Sequence, residues 1–142
     1  MTHIFSPKSI DRLKGVHPDM VLVVEYALKR SSTDFSVNEG LRSLERQTEL
    51  FKGGFSKTMA SKHLKQSDGY GHAVDLYPYP VDMARVNKGD WRECIRFGMI
   101  AGAMFSAAKE LGIPIRWGMD WDGDGQTLDH TFFDAPHFEL VK

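Results

Sequence analysis

One cysteine, Cys94, stands in the 142 residues, so no disulfide framework or cysteine-based metal cage can form within the chain. A dominant charge is missing as well. Lys and Arg number 18 against 19 Asp and Glu, a net charge of −1, and that balance offers no electrostatic footprint for nucleic acid or an anionic membrane. No apolar run approaches the roughly 20 residues that span a bilayer, and Met1 to Pro7 lacks the apolar core of a signal peptide. Repeats, low-complexity tracts and linker-like stretches are absent too. What remains has globular proportions, 42% hydrophobic and 26% charged. A chain of this length buries roughly two-thirds of its unfolded surface and needs no staples. The expectation is one soluble domain over residues 1–142, made in a cytosol, with no nucleic-acid partner and no membrane anchor.

Hydropathy patterning sketches the elements. Pro18 suits a first helical turn, and Met20, Val23, Val24, Ala27 and Leu28 follow at three- and four-residue steps. Phe35 to Val37 reads as a short strand, Ser43 to about Lys52 as a charged helix stopped by Gly53-Gly54, and the stretch up to Gly71 as a long polar loop. His72 to Tyr79 is strand-like, Asp90 to Leu111 is the longest helical pattern, and Gly112 ends it. Ile113 to Trp117 and His137 to Val141 are short β-type runs flanking an acidic loop, Met119 to Thr131. Helices dominate the first half with strands scattered among them, which predicts an α+β fold with a small, mostly antiparallel sheet flanked by helices.

Metal-capable side chains concentrate in three places: Ser61-Lys62-His63, Gly71-His72-Ala73-Val74-Asp75-Leu76 and Asp134-Ala135-Pro136-His137-Phe138-Glu139. A catalytic zinc takes three protein ligands and leaves a fourth position for water; without a cysteine pair, two histidines and an aspartate are a fitting set. Peptide hydrolysis also needs a carboxylate beside the water, and Asp134 can serve if Ala135-Pro136 turns the chain so that Asp134 and His137 share a cleft.

In this order, those segments together with Glu39-Gly40-Leu41-Arg42-Ser43 and Arg116-Trp117-Gly118 resemble the M15 family of zinc peptidases, and within it the phage L-alanyl-D-glutamate endolysins. The likeness covers nearly the whole chain. It implies a Hedgehog/DD-peptidase-like fold, zinc on His63, Asp75 and His137, Asp134 as general base and acid, and Arg42 binding substrate or polarising the scissile carbonyl. The family pattern places its first histidine seven residues before the aspartate, where this chain has Asp68. His63 lies twelve ahead and fits only with five extra residues within Leu64 to Tyr70, a cheap addition because closure entropy grows logarithmically with loop length. His72, three residues from Asp75, is the competing ligand, although it would have to reach around from the opposite strand face.

Asp120-Trp121-Asp122-Gly123-Asp124-Gly125 matches the start of an EF-hand loop, where alternate aspartates aim oxygens inward and a glycine permits the turn. Thr131 stands where the bidentate glutamate belongs, so the stretch is either a calcium loop of another kind, with Asp129 as a further candidate ligand, or an acidic turn with no ion. Endolysins with a calcium-responsive acidic loop resemble it, and that likeness implies calcium on Asp120, Asp122 and Asp124 ordering the cleft. His3, His17 and His130 carry no functional expectation.

The function expected is a zinc-dependent endopeptidase, acting as a monomer on the L-alanyl-D-glutamate bond of the peptidoglycan stem peptide. The resemblance also implies a protein held in the host cytoplasm until lysis and acting afterwards on the periplasmic wall. One alternative is a D-Ala-D-Ala carboxypeptidase or dipeptidase, with Lys62, Lys65 or Arg116 taking the terminal carboxylate. The other is a non-catalytic zinc domain that binds wall or protein.

Overall fold

The computed structural model describes residues 3–56, 58–128 and 134–141. In chain order its helices are α1 (Pro7–Arg12), α2 (Pro18–Arg30), α3 (Leu44–Lys52), α4 (Met83–Asn87) and α5 (Trp91–Leu111). Its strands are β1 (Phe35–Glu39), β2 (Ala73–Pro78), β3 (Ile115–Gly118) and β4 (Asp134–Leu140).

The two long helices form where the apolar spacing puts them. His17 caps α2 by accepting the Asp19 N–H at 3.0 Å on Nδ1, and Met20, Val23, Val24, Ala27 and Leu28 are all buried. Asp90 caps α5, and Gly112 ends it at φ 69°, a left-handed conformation that glycine adopts without penalty. Phe97, Ile100, Ala101, Met104, Ala107 and Ala108 give α5 its buried stripe. The short helices α1 and α4 have no counterpart in the hydropathy reading. Each holds too few residues to show a periodic face, and each starts at a capping side chain, Ser6 or Asp82.

The sheet has the order β1-β2-β4-β3, and each pairing is antiparallel. Period-two alternation divides its side chains. Phe35, Val37, Val74, Leu76, Phe138 and Leu140 enter the core shared with α2 and α5. The alternate positions form the other face. There Asp75 stands opposite His137, and an irregularity between Val37 and Glu39 brings Glu39, otherwise in phase with Val37, opposite Asp75, a row across three strands.

Strand β4 begins three residues before the expected start at His137. Trp117 pairs with Phe138, but the next residue, Gly118, pairs with Asp134. Residues 135–137 are therefore absorbed in an irregularity of β4, the turning of the chain that Asp134 and His137 need to meet. Gly118 is required there: a Cβ would lie 2.0 Å from the Asp134 carbonyl oxygen.

Candidate metal centre

His63, Asp75 and His137 converge on the cleft face of the sheet, with one potential ligand atom of each lying within 4.8 Å of the others. Asp75 sits between the imidazoles. Its Oδ1 is 3.1 Å from His63 Nε2 and 3.4 Å from His137 Nδ1. Both histidines are buried, at 2% and 7% exposure. His63 comes from the polar segment between α3 and β2, yet its backbone is tied down by the Arg42 N–H, which donates to the His63 carbonyl at 2.8 Å.

The remaining ring nitrogens fix what these atoms can do. His63 Nδ1 meets the Gly40 carbonyl at 2.8 Å and must donate to it. His137 Nε2 donates to Glu139 Oε1 at 2.9 Å. Neutral imidazoles would thus turn lone pairs toward Asp75, an arrangement that calls for a cation among the three. The spacing suits one: ligands at 2.0–2.1 Å from a tetrahedral ion stand roughly 3.3 Å apart. Gly40 is itself demanded by the packing, since a Cβ would fall 2.1 Å from the Arg12 carbonyl oxygen.

Electrostatics agree with a cation site. Burial would raise the Asp75 pKa, but hydrogen bonds from His137 and His63 prevail and hold it well below the ordinary carboxylate range. Burial disfavours the His137 imidazolium, yet its bonds to Asp75 and Glu139 push the pKa up to about 9. Asp134 moves the other way from Asp75. Burial and the neighbouring Asp75 charge raise its pKa, so its carboxyl is a better proton acceptor than a solvated one.

A cleft of about 460 Å³ contains Asp75, His137 and Asp134 together with Arg42, Lys62 and Trp121. Arg42 is nearly enclosed. It donates from Nε to Glu39 at 2.9 Å and from Nη1 to Gln47 at 2.6 Å, with Nη2 4.0 Å from Asp75. Arg116 lies 3.5 Å from Glu139, and Lys65 lines a separate surface depression beside Leu64.

His72 is turned elsewhere. Its Nε2 lies 2.7 Å from Asp68 and its ring packs edge-on against His17, so it anchors the loop against the start of α2. Asp120, Asp122 and Asp124 also bring carboxylate oxygens within 4.8 Å of one another, and Asp120 accepts the Asp124 and Gly125 N–H groups at 3.2 and 2.9 Å. Asp129, His130 and Thr131 lie outside the described residues.

Four contributors escape the sequence reading. Glu139 had a signal, because it stands two residues from His137 on the same strand face. Trp121, whose ring lies 5.5 Å from that of His137, was hidden among aspartates. Gln47, fully buried within a charged helix, and the Gly40 carbonyl gave none.

The family model for the phage L-alanyl-D-glutamate peptidase matches residues 1–141. The L-alanyl-D-glutamate peptidase of Escherichia phage T5 is 32% identical, across 99% of this chain and all of its own length. The peptidoglycan L-alanyl-D-glutamate endopeptidase CwlK of Bacillus subtilis is 26% identical over 81% of this chain and 65% of its own. Among solved structures, the L-Ala D-Glu endopeptidase ChiX of Serratia marcescens superposes with a TM-score of 0.73 at 37% identity, covering 97% of this chain and 90% of that one. A match of that extent, on a chain with this cleft, makes the protein a member of the phage L-alanyl-D-glutamate peptidase family.

Proposed function

We propose that the protein is a zinc-dependent endopeptidase that hydrolyses the L-alanyl-D-glutamate bond of the peptidoglycan stem peptide. The observation that carries this is the convergence of two tautomer-fixed histidines and Asp75 in one cleft with a raised-pKa carboxyl, Asp134. His63 Nε2, Asp75 Oδ1 and His137 Nδ1 would hold the ion, with Gly40 and Glu139 keeping the imidazoles aimed. Bound there, zinc supplies a Lewis acid that polarises the scissile carbonyl and lowers the pKa of water to about 7.

Asp134 takes the proton of the attacking water and returns it to the departing amine of D-glutamate. Arg42 keeps a fixed positive charge at the cleft wall, 4.0 Å from Asp75, and offers it to the oxyanion as charge develops. A purely structural metal site would have no use for a half-buried carboxyl such as Asp134 alongside it.

The test is digestion of purified peptidoglycan, with chelated protein and with zinc restored. Chelator-sensitive release of new D-glutamate amino termini is expected. Free D-alanine instead would identify the carboxypeptidase alternative, and wall binding without cleavage the non-catalytic one. We further propose calcium as the occupant of Asp120, Asp122 and Asp124, on the strength of their converging oxygens.

A further inference from the structure

Beside the metal-centre cleft runs a second groove of about 780 Å³, bounded by α4, the first turns of α5, and the ends of β3 and β4. Tyr77, Met83, Trp91, Ile95, Phe97 and Trp117 supply most of its walls. Asp134 lines both spaces, so the groove adjoins the residue assigned above to proton transfer. Among the described lining residues Asp134 is also the only charged one. The cleft on the other side of it carries the cations Arg42, Arg46 and Lys62 among the carboxylates Glu39, Asp75 and Glu139.

The substrate has a matching asymmetry. On the D-glutamate side of the scissile bond the stem peptide bears free carboxylates. On the L-alanine side it is uncharged, continuing through an amide to the lactyl group and ring of N-acetylmuramic acid. A carboxylate placed in the groove would meet Asp134 and no described cation, whereas in the cleft it would find Arg46 and Lys62. The sugar has apolar ring faces and an acetyl methyl, which suit aromatic walls.

The groove also presents apolar surface that the fold leaves in water. Trp91 is 71% exposed, Ile95 54% and Met83 39%. Trp91 is the first residue of α5, held in place by its neighbours: the Asp90 cap receives the Arg92 N–H at 3.1 Å and the Arg85 guanidinium at 2.8 Å.

We infer that this groove is the subsite for the N-acetylmuramyl-lactyl end of the substrate, so that the peptide enters from the apolar groove and leaves through the charged cleft. The inference rests on the endopeptidase reading and deepens it by giving the substrate a direction.

Two substrates test it with the zinc-loaded protein: N-acetylmuramyl-L-alanyl-D-glutamyl-diaminopimelate, and the same peptide with acetyl in place of the muramyl group. Both keep the amide at L-alanine; only one has the sugar. Wild-type KM is expected to be lower for the muramyl substrate by about tenfold, the size of one well-packed aromatic contact. Trp91→Ala should bring the ratio of the two KM values to about one with little change in kcat, and Met83→Ala should move it the same way. Trp91 is exposed, and a thermal melt verifies that the variant is folded. Equal KM values in the wild type, or a ratio unaltered in both variants, would overturn the subsite. If wild-type protein cleaves neither substrate, the endopeptidase reading itself fails and the subsite goes with it.

Discussion

Asp134 and His137 are three residues apart and take opposite charge behaviour from the same neighbour. The Asp75 carboxylate, with burial, raises the Asp134 pKa, and the same carboxylate raises that of His137 by hydrogen bonding. Each shift has a measurable consequence. Asp134→Asn removes the proposed proton acceptor without touching a proposed metal donor, so kcat should fall by about 10²- to 10⁴-fold while zinc stays at one equivalent by atomic absorption. Unchanged turnover would remove Asp134 from the mechanism. For His137, a pKa of about 9 means that the metal-free protein carries a proton there at neutral pH, which zinc must displace. Zinc affinity should therefore climb about tenfold per pH unit and flatten near pH 9. In the metal-free protein the protonated contact stabilises the fold fully below pH 6.5, and this contribution is lost as pH rises through about 9. Melting curves of chelated protein at pH 6 and pH 9.5, beside zinc titrations over the same range, check both signs. Glu139→Gln keeps the shape but weakens the partner that aims His137, and should cost about 10- to 100-fold in zinc affinity.

The elements decide whether those residues meet, and here the sequence was informative to different degrees. The core faces of α2 and α5 were readable because apolar spacing and burial are one physical fact: Met20, Val23, Val24, Ala27 and Leu28 recur at helical steps and are all buried. The short helices α1 and α4 were not, since a five- or six-residue helix depends on its cap and its tertiary contacts rather than on periodicity. Residue order and family likeness pointed to His63, Asp75, Asp134 and His137, and Ala135-Pro136 signalled a turn of the chain between the last two, but not that β4 absorbs 135–137 in an irregularity opposite Gly118. That feature depends on a partner strand, through Gly118. Gly118→Ala tests it. A methyl group 2.0 Å from the Asp134 carbonyl cannot be accommodated without displacing backbone, and a misplacement of about 1 Å can cost about 10²-fold in rate. The expected variant retains zinc through His63, Asp75 and His137 and loses kcat; a fully active Gly118→Ala protein would mean that the approach of β3 to Asp134 is not needed.

Across the whole molecule, the candidate metal centre draws on three separate stretches of chain, and a fourth reaches it through Trp121. That indole lies on the loop of Asp120, Asp122 and Asp124, yet its ring stands 5.5 Å from His137 and lines the cleft. The loop and the centre therefore share a contact. Without a cation, three converging carboxylates repel one another, with backbone N–H groups such as those of Asp124 and Gly125 offsetting that repulsion. A calcium ion would remove the repulsion, stiffen the turn and hold Trp121 against the histidine. At calcium concentrations about 100 times its Kd, a site present only in the folded chain adds about 2.7 kcal/mol to stability. For a chain of this size that raises Tm by several degrees, roughly 5–10 °C. The zinc-loaded protein should show this rise on adding calcium, with a parallel gain in activity, and Asp122→Asn combined with Asp124→Asn should abolish both while leaving zinc content intact. Calorimetry without calcium binding at millimolar concentration, or activity indifferent to a chelator that spares zinc, would leave the aspartates as a solvated turn and Trp121 as packing alone.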